Sequence, residues 1–470
     1  MDSAALLAVA VIVGLPAVFV AARVCTDPLA GLCMWVLLLP VTKTMASLMG
    51  YPFGEGPIVL QKLTLADPVL LLTAFGAWVS ASRSAGALRD RQGRRIVGLL
   101  AAFCTVGILS AALGPTGSES LIELVTYFWL CLSLVVICKL LGSRERARRV
   151  LSAWRWAGVV ACAAGGAATV LLWRGSLDNL LVQGGRVAGL FEGINQLQSF
   201  MMAVIPFLCA TAFSSSASRG ARAVHAALIV IAFLSVVASG SRGGVVFAGL
   251  SIWLMVMLTS PRLCLVWTCA ALLAAGSAFR LYERHHDELP YGVRRAVSFL
   301  ESDSHDLRDM SPRRADQLLA WRTVFAEHPL LGVGPGGFAA TIPELVPGGL
   351  AQEMHNSYLG VLAETGAVGG LLMFGLLAAA MARSVTFLRR TRRARDPEAL
   401  MVARALLVSY LSLLLYGVLN YGLRQRHFWF VIALAVALPH TYMKARRGAR
   451  VDERGTSLAY GTVLCAQSQG

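Results

Sequence analysis

The sequence predicts an all-α, polytopic integral membrane protein. Of its 470 residues, 56% are hydrophobic and 14% are charged, whereas soluble globular proteins carry roughly 25% charged residues. The mean hydropathy is +0.65. The apolar residues fall in separate runs of about 20, the length that a helix needs to cross a bilayer. An ordinary soluble protein is therefore excluded, and about 12 to 13 membrane-spanning helices are expected.

The apolar runs place the spans in chain order. Residues 4–22 are expected to be a retained span and not a cleaved signal peptide. They are preceded by Asp2, whereas a signal peptide begins with a basic segment. Further spans are expected at 28–47, 66–82, 96–114, 120–141, 153–172, 196–214, 224–239, 243–259, 263–279, 357–382, 399–420 and 427–443. The chain then divides into N-terminal spans (1–172), a second group of spans (173–279), a long loop (280–356), C-terminal spans (357–443) and a polar, disordered tail (444–470).

The basic residues indicate how the chain is oriented. The formal net charge is +16, and the charges stand in short clusters between apolar runs, which is typical of cytoplasmic anchoring and of contact with anionic membrane lipid. Binding to nucleic acid is not expected from this pattern. With thirteen spans, the clusters at 83–95, 139–149, 389–395 and 444–450 all fall on the cytoplasmic side. The opposite side then receives residues 48–65, 173–195, 240–242, 280–356 and 421–426.

The cysteines and histidines do not predict a metal or redox site. Eight of the ten cysteines lie inside apolar runs, where cysteine behaves as a small hydrophobic residue. No CxxC pair is present. The run His285-His286-Asp287-Glu288 lacks a spaced partner, because adjacent histidines face different directions. Neither a metal ion nor another cofactor is expected.

Arg242 is a candidate functional residue because of its depth. It lies in Gly240-Ser241-Arg242-Gly243-Gly244, between two apolar runs. An arginine at membrane depth is costly and indicates a function, while neighbouring glycines allow a ligand or backbone to approach closely. The alternative is an anchor whose charged end reaches the interface.

Two further polar positions precede the seventh span. Arg186 begins the stretch RVAGLFEGINQLQSF, and Asn195 stands where the helix is expected to start. Asn195 could cap that helix or contact a ligand, and its position alone does not decide between them. Arg186 is a candidate ligand contact on the same ground.

The long loop at 280–356 carries many arginines on the side where the charge rule expects few. An arginine offers a planar fork of donors that suits phosphate, so an anionic ligand is one explanation. The other is a solvated loop surface on which nearby carboxylates balance the charge. The candidates include Arg313, Arg314 and Arg322. The run Gly332–Gly337 matches GxGxxG, but no βαβ unit surrounds it, so dinucleotide binding is excluded.

The end of the loop carries titratable residues. His355 has an ordinary pKa near 6.5, so its ring can accept and return a proton near neutral pH. Asn356 and Tyr358 add hydrogen-bonding groups beside it. Glu364 follows about two turns into the next helix. A carboxylate there is costly unless paired, so Glu364 is either a structural partner of an arginine or a site residue.

Several of these motifs together resemble the O-antigen ligase and polymerase superfamily. The run Trp321, His328-Pro329-Leu330-Leu331-Gly332-Val333-Gly334 and Phe338, then His355-Asn356-Ser357-Tyr358, then Glu364-Thr365-Gly366 resembles its long-loop signature. Arg186-Val187-Ala188-Gly189-Leu190-Phe191 with Asn195 is similar to its R-x-x-G-x-F…N element, and Ser241-Arg242-Gly243-Gly244 to its S-R-G-G element. The resemblance covers roughly residues 180–380.

The resemblance implies a function. Members are bacterial membrane glycosyltransferases of the GT-C class that move a glycan from an undecaprenyl-diphosphate carrier to a hydroxyl on the outer face of the inner membrane. Ligases use lipid A-core of lipopolysaccharide as acceptor, polymerases another lipid-linked glycan, and some relatives a protein serine. Neither a nucleotide sugar nor a metal is implied.

The resemblance also implies roles for residues. Arg242 would hold the diphosphate, a loop arginine would help, and His355 would act on the acceptor hydroxyl. Members often place the second arginine one turn before the tryptophan, where this chain has Gln317. Arg314 lies two turns before Trp321 and is the expected counterpart, with Arg313 and Arg322 as rivals.

A transporter or flippase for an anion or a lipid-linked glycan is the alternative from another class. Such a protein would spread charges through the centres of its spans and contain paired broken helices near the membrane midplane. Here the polar residues concentrate at one membrane face, which favours an enzyme.

Overall fold

The computed structural model describes residues 20–49, 61–80, 90–285, 288–297, 312–346 and 351–443. Most of the predicted span at 4–22, the middle of the long loop and the predicted tail at 444–470 lie outside these residues. The first helices are α1 (Pro28–Leu38), α2 (Met45–Leu48), α3 (Ala66–Val79), α4 (Arg91–Leu113), α5 (Gly117–Leu140) and α6 (Arg144–Trp173). A short hairpin, β1 (Val182–Gln183) with β2 (Arg186–Val187), follows.

The remaining helices complete the predicted all-α fold. They are α7 (Ile194–Ala212), α8 (Arg219–Ala238), α9 (Arg242–Thr259), α10 (Pro261–His285), α11 (Tyr291–Val297), α12 (Pro312–Glu327), α13 (Phe338–Leu345), α14 (Ser357–Ala394), α15 (Pro397–Tyr416), the 3₁₀ turn η1 (Gly422–Arg424) and α16 (residues 426–443).

Eight of these helices are long and apolar enough to cross a membrane: α4 to α9, α14 and α15, with α5 counted from Ser120. They match predicted spans and confirm a polytopic membrane protein. α10 and α16 contain the predicted spans 263–279 and 427–443. The predicted spans 28–47 and 66–82 are shorter helices than expected, α1 and α3. α1 ends at Leu38; Leu39 keeps helical backbone angles, and Pro40, which has no N–H to donate, does not continue the helix.

Two helices lie at the centre of the bundle. Every residue from Leu197 to Cys209 in α7 and every residue from Phe428 to Leu438 in α16 is buried. A helix that is apolar on all sides is stable only where other helices surround it. α7 packs against α6, α8, α9 and α15. The segments that connect to α7 and α16 therefore meet at the ends of the bundle.

Contacts between loops define one end of the bundle. Arg144, at the start of α6, pairs with Asp396 and Glu398, at the start of α15, both at 2.9 Å. Near the end of α16, Thr441 donates a hydrogen bond to the backbone oxygen of Leu141 at 2.6 Å. The predicted cytoplasmic cluster at 139–149 therefore contacts residues that border the predicted clusters at 389–395 and 444–450. The segments 42–47, 61–64, 183–196, 353–355 and 420–427 meet in a separate region that does not include these contacts.

The long helix α14 is broken at Gly366. This residue has φ of +64° and ψ of −169°, and a Cβ placed on it would lie 2.2 Å from Leu330 backbone atoms. The loop segment that carries Leu330 fills the break. Ala367 N–H donates to Pro329 O at 2.8 Å, and Gly334 N–H donates to Glu364 O at 3.0 Å. Only glycine adopts this backbone without strain. The glycine-rich run at 332–337 thus packs the long loop onto the broken helix and satisfies its backbone groups.

Candidate active site

A cavity of about 940 Å³ opens where the loops of this region meet. Its walls come from parts of the chain that are far apart in sequence, and most of the lining side chains are polar or charged. Of the residues that the sequence singled out, the cavity brings together four: Arg186, Asn195, Arg313 and His355.

His355 lines the cavity and is held there by its backbone. Its N–H donates to Oε1 of Gln317 at 3.1 Å, and Gln317 Nε2 donates to the oxygen of Glu353 at 2.7 Å. Burial, and then the charges of Arg314 and Arg313, lower the pKa of the His355 imidazole below 6.5. Within the described residues the ring makes no hydrogen bond. The ring is therefore neutral at pH 7, and one of its nitrogens can accept a proton.

The three residues after His355 anchor the start of α14. The Asn356 side chain accepts hydrogen bonds from the N–H groups of Tyr358 and Leu359, at 2.9 and 3.0 Å. The hydroxyl of Tyr358 donates to Leu414 O at 2.6 Å. Ser357 donates to Asn420 O at 2.7 Å and accepts from Gly422 N–H at 2.9 Å. Asn356 and Tyr358 do not line the cavity, and their contacts fix where His355 stands.

The first turn of α12 supplies two arginines beside His355. Arg313 is exposed and lines the cavity. Arg314 is half-buried, and its Nη2 lies 3.4 Å from the oxygen of Leu419. Burial lowers the pKa of Arg314. Arg322, farther along the same helix, is exposed and is not part of the cavity wall.

Arg186 reaches the cavity from the short hairpin. Gly184 and Gly185 form its two-residue turn with φ of +53° and +67°, which favours glycine at both positions. Arg186 Nε donates to Ser239 O at 2.8 Å. Burial, and then the nearby charge of Arg295, lower the pKa of Arg186. Within the described residues neither Arg186, Arg313 nor Arg314 forms an ion pair with a carboxylate.

Arg242 lies near this site but does not line the cavity. It is the first residue of α9, whose N-cap is Ser241, and its Nε lies 3.5 Å from the oxygen of Arg295. A Cβ on Gly243 would lie 2.4 Å from Leu419, and one on Gly244 would lie 2.8 Å from Gln198. The glycines therefore allow α9 to pack closely on its neighbours.

A buried hydrogen-bond chain connects the two upstream arginines. Gln198 Nε2 donates to the hydroxyl of Ser239 at 2.7 Å, and Tyr416 donates to Gln198. Tyr416 also interacts with Ser241, the residue that caps α9. The backbone oxygen of Ser239 holds Arg186. The segments that carry Arg186 and Arg242 are thus fixed against each other.

Asn195 lies in the first turn of α7 and not at its cap. The N-cap is Gly193, which provides no side chain to accept from the free N–H groups of that turn. Gly193, Ile194, Asn195 and Gln196 all line the cavity. The positive end of the α7 dipole is therefore directed at the cavity, next to Arg186.

Glu364 belongs to a buried ion-pair cluster centred on Arg424. Arg424 Nη2 contacts Glu364 Oε1 at 2.5 Å, and its Nη1 contacts Glu353 Oε1 at 2.8 Å. Its Nε lies 3.4 Å from Glu123, which in turn pairs with Lys62 at 2.7 Å. Burial would lower the pKa of Arg424, but Glu123 and Glu364 raise it well above its usual range. The structure therefore gives Glu364 a structural partner, and Glu364 does not line the cavity.

Sequence reasoning did not assign roles to Gln317 or to the segment 420–427. That segment supplies Asn420, Arg424 and Arg426 to the cavity wall, and Arg426 pairs with Asp67 at 2.6 Å. One signal was available, because two arginines fall in a six-residue stretch predicted to be exoplasmic, where the charge rule expects few. Gln317 had no such signal, because a buried glutamine on a loop helix is recognised only through its contacts.

Residues 227–374 match the family model described as O-Antigen ligase. Over these residues the chain is similar to O-antigen ligases. The match runs from α8 to the middle of α14 and includes Arg242, Arg313, Arg314 and His355. It spans less than a third of the chain, and Arg186 and the segment 420–427 lie outside it. No curated protein matches the chain.

The match indicates a general class of activity. The O-antigen ligase family consists of ligase-like and polymerase glycosyltransferases, which act on lipid-linked glycan donors and on glycan or lipid acceptors in general. In this protein the matched residues include α9, the loop helices and the first part of α14. The cavity lies where the matched residues meet other parts of the chain, at α5, the short hairpin and the segment 420–427.

Proposed function

We propose that this protein moves a glycan from an undecaprenyl-diphosphate carrier to a hydroxyl of an acceptor, without a metal ion, on the outer face of the bacterial inner membrane. The acceptor would be lipid A-core, a second glycan or a protein. The observation that carries the proposal is a single juxtaposition. His355, with a lowered pKa, stands in a cavity beside arginines that have no carboxylate partner among the described residues.

The arginines suit the leaving group of this reaction. When the bond between the anomeric carbon and the diphosphate oxygen breaks, negative charge builds on the diphosphate. Guanidinium groups already in place stabilise that charge without reorganisation. Arg186 and Arg313 line the cavity, and Arg314 lies close enough to lower the pKa of His355. The uncapped start of α7 adds N–H donors of the kind that bind phosphate.

His355 suits the other half of the reaction. The acceptor hydroxyl must lose its proton as its oxygen bonds to the anomeric carbon. A neutral imidazole can take that proton, which leaves an imidazolium ion beside the departing diphosphate. The carrier is already activated, so the step needs no nucleotide. Gln317 and the anchors at Asn356 and Ser357 hold the base in position.

The proposed sidedness follows from the charge pattern. Arg144 belongs to the predicted cytoplasmic cluster at 139–149, and it contacts Asp396 and Glu398, which directly follow the cluster at 389–395, away from the cavity residues. The long loop and the segment 420–427, which supply His355 and Arg424, are predicted to lie on the opposite side. A glycan donor with its carrier in the outer leaflet would therefore reach the cavity.

Single-turnover glycan transfer tests the proposal. The purified protein is mixed with native undecaprenyl-diphosphate glycan and candidate acceptors, and each variant is checked for folding. We expect His355→Ala and Arg186→Ala each to lose about 100-fold or more in rate. Arg242→Ala, which removes the arginine that the family motif assigns to the diphosphate, is measured in the same series and is also expected to lose rate.

Two residues of the same loop region serve as matched controls. His328→Ala removes a histidine that does not line the cavity, and Arg322→Ala removes an exposed arginine of α12. Both should transfer at the wild-type rate. Full rate in His355→Ala would refute the base assignment. Movement of the lipid-linked glycan across vesicles by a wild-type protein that consumes no donor would instead establish a transporter.

A further inference from the structure

The cavity wall changes character between its two sides. On the Arg186 side the arginines lack carboxylate partners among the described residues. On the Arg424 side three cations, Lys62, Arg424 and Arg426, contact four carboxylates: Glu123, Glu353, Glu364 and Asp67. A diphosphate is attracted to the first side and gains little from the second. A nearly neutral wall with both donors and acceptors suits hydroxyl groups, which also donate and accept.

Asn420 stands between the two sides. The residue before it, Leu419, lies against Arg314 at 3.4 Å, and the residue after it, Tyr421, lies under the guanidinium of Arg424 at 4.5 Å. Asn420 lines the cavity and is 5% exposed. Its Nδ2 has no hydrogen-bond partner in the described part of the chain. Buried amide donors are nearly always paired, so an unpaired one in a cavity wall is a candidate donor to a ligand.

Glu353 provides an acceptor close to the same place. Gln317 holds the backbone at both residues 353 and 355, so the Glu353 and His355 side chains enter the cavity from one fixed segment. Oε1 of Glu353 contacts Arg424 at 2.8 Å, and the side chain remains 54% exposed. The second carboxylate oxygen can therefore accept a hydrogen bond from a ligand.

We propose that Asn420 and Glu353 form a sugar-binding subsite next to His355. The Asn420 amide donates to one hydroxyl of a glycan ring, and the Glu353 carboxylate accepts from another. The inference rests on the proposed function, since it assigns a place to the glycan whose diphosphate or acceptor hydroxyl the other side of the cavity handles. A site built to bind hydroxyls discriminates strongly between sugars, because its own polar groups are left unpaired by the wrong one.

Binding measurements with two probes test the subsite. The full-length protein in lipid nanodiscs is titrated with inorganic pyrophosphate and with the host's repeat-unit glycan, released from its carrier so that it bears no phosphate. We expect Asn420→Ala to weaken glycan binding about 10-fold or more and to change pyrophosphate binding less than about 2-fold. Arg186→Ala should do the opposite. Unchanged glycan binding in Asn420→Ala would overturn the proposal.

Further variants keep the test independent of folding. Asn420→Asp removes the amide donor with little change of shape, and Glu353→Gln removes the charged acceptor; both should weaken glycan binding. Ser412→Ala is the matched control, because Ser412 Oγ is also buried and unpaired in the described chain but lies outside the cavity wall. It should bind both probes as the wild type does.

Kinetics then identify which glycan occupies the subsite. A rise in the acceptor KM alone for Asn420→Ala assigns it to the acceptor, and a rise in the donor KM alone assigns it to the first sugar of the donor. Both results support the subsite. The binding assay needs no turnover, so a wild-type protein that binds the glycan but transfers nothing would refute the proposed function and leave the subsite standing.

Discussion

Gln317 holds the segment that carries His355. Its Oε1 accepts from the His355 N–H at 3.1 Å, and its Nε2 donates to Glu353 O at 2.7 Å. The side chain is 1% exposed, so both bonds are shielded from water. Gln317 therefore fixes the backbone of His355, the proposed base, and of the neighbouring Glu353.

Replacing Gln317 should impair turnover through the placement of His355. Gln317→Met has a similar size but leaves two backbone groups unpaired, which costs about 1–3 kcal/mol for each buried group. We expect kcat to fall about 10-fold or more while the donor KM changes little. The measurement is a comparison of kcat and KM, together with thermal unfolding.

Gln317→Glu separates positioning from general loss of stability. It keeps the acceptor for the His355 N–H and loses the donor to Glu353 O, so its kcat should lie between those of the wild type and Gln317→Met. Equal kcat in all three proteins at matched stability would show that this clamp does not position the base.

The pH dependence of transfer should show the lowered pKa of His355. Its ring must be neutral to act, so kcat/KM should be constant from neutral pH downwards and should fall only below about pH 6.5. Arg314→Ala removes the neighbouring charge that lowers this pKa the most. The acid limb should therefore move to higher pH in that variant, and the measurement is a profile of single-turnover rate against pH.

In the wild type, binding of the donor should also shift the acid limb of the pH–rate profile to higher pH. A diphosphate beside Arg314 and Arg313 offsets their charges, which raises the pKa of the ring in the complex. The acid limb of kcat should then lie at higher pH than that of kcat/KM. Arg322→Ala is the control and should leave both limbs in place. A limb that ignores Arg314→Ala would contradict the assignment of the proton acceptor to His355.

The free energy of unfolding should depend on pH through the same residue, His355. The unfolded chain binds a proton on this histidine at about pH 6.5, and the folded chain does so only at lower pH. The neutral His355 ring therefore contributes to the free energy of unfolding above about pH 6.5, and this contribution is lost as the pH falls below that value. His355→Ala should flatten this part of the stability profile in thermal unfolding measured between about pH 5 and 7.

Gly366 should be intolerant of any side chain. Gly366→Ala places a Cβ within 2.2 Å of the backbone of Leu330 at a residue with φ of +64°. The strain and the clash should lower the melting temperature strongly, because the loop segment at 329–334 must leave the break in α14.

A second glycine of the same helix provides the comparison. A Cβ on Gly375 would lie no closer than 4.0 Å to a neighbouring side chain. Gly375→Ala should therefore be neutral or stabilising by about 0.5–1 kcal/mol. Equal melting temperatures for Gly366→Ala and Gly375→Ala would show that the packing of the loop into the break does not stabilise the fold.

Removing Arg424 should destabilise the protein more than removing one of its partners. Arg424→Leu leaves Glu364 without a cation and leaves Glu123 with Lys62 alone, and both side chains are only 3% exposed. Breaking a buried pair in this way costs about 3–5 kcal/mol. Glu364→Gln keeps a hydrogen-bonding side chain and should cost less. The double variant should recover part of the loss, as thermal unfolding of the four proteins would show.

The sequence alone predicted the class of fold and part of the candidate site. Runs of about 20 apolar residues require helices, because a span must satisfy all of its backbone groups internally. The basic clusters at 139–149 and 389–395 were predicted to lie on one side of the membrane, and Arg144 of the first contacts Asp396, the residue that follows the second. The motif around His355 predicted the residue that now lines the cavity with Arg186, Asn195 and Arg313.

The roles of single polar residues depended on tertiary contacts. Asn356, Tyr358 and Glu364 stand in the same motif as His355, yet the structure uses them to anchor α14 and to pair with Arg424. Asn195 could have been a cap or a ligand contact, and only the backbone shows that Gly193 is the cap. The contacts that the side chain of a motif residue makes are set by packing, which the motif does not encode.

The membrane fold, the basic clusters between its spans and the motif that carries His355 follow from local composition and period, so the chain alone predicts them. How side chains far apart along the chain come to share one cavity is visible only in the folded protein. Gln317 reaches residue 355 across 38 positions, and Arg424 reaches Glu364 across 60. Such pairs lie outside any local pattern, because they form only when helices from different parts of the chain pack together.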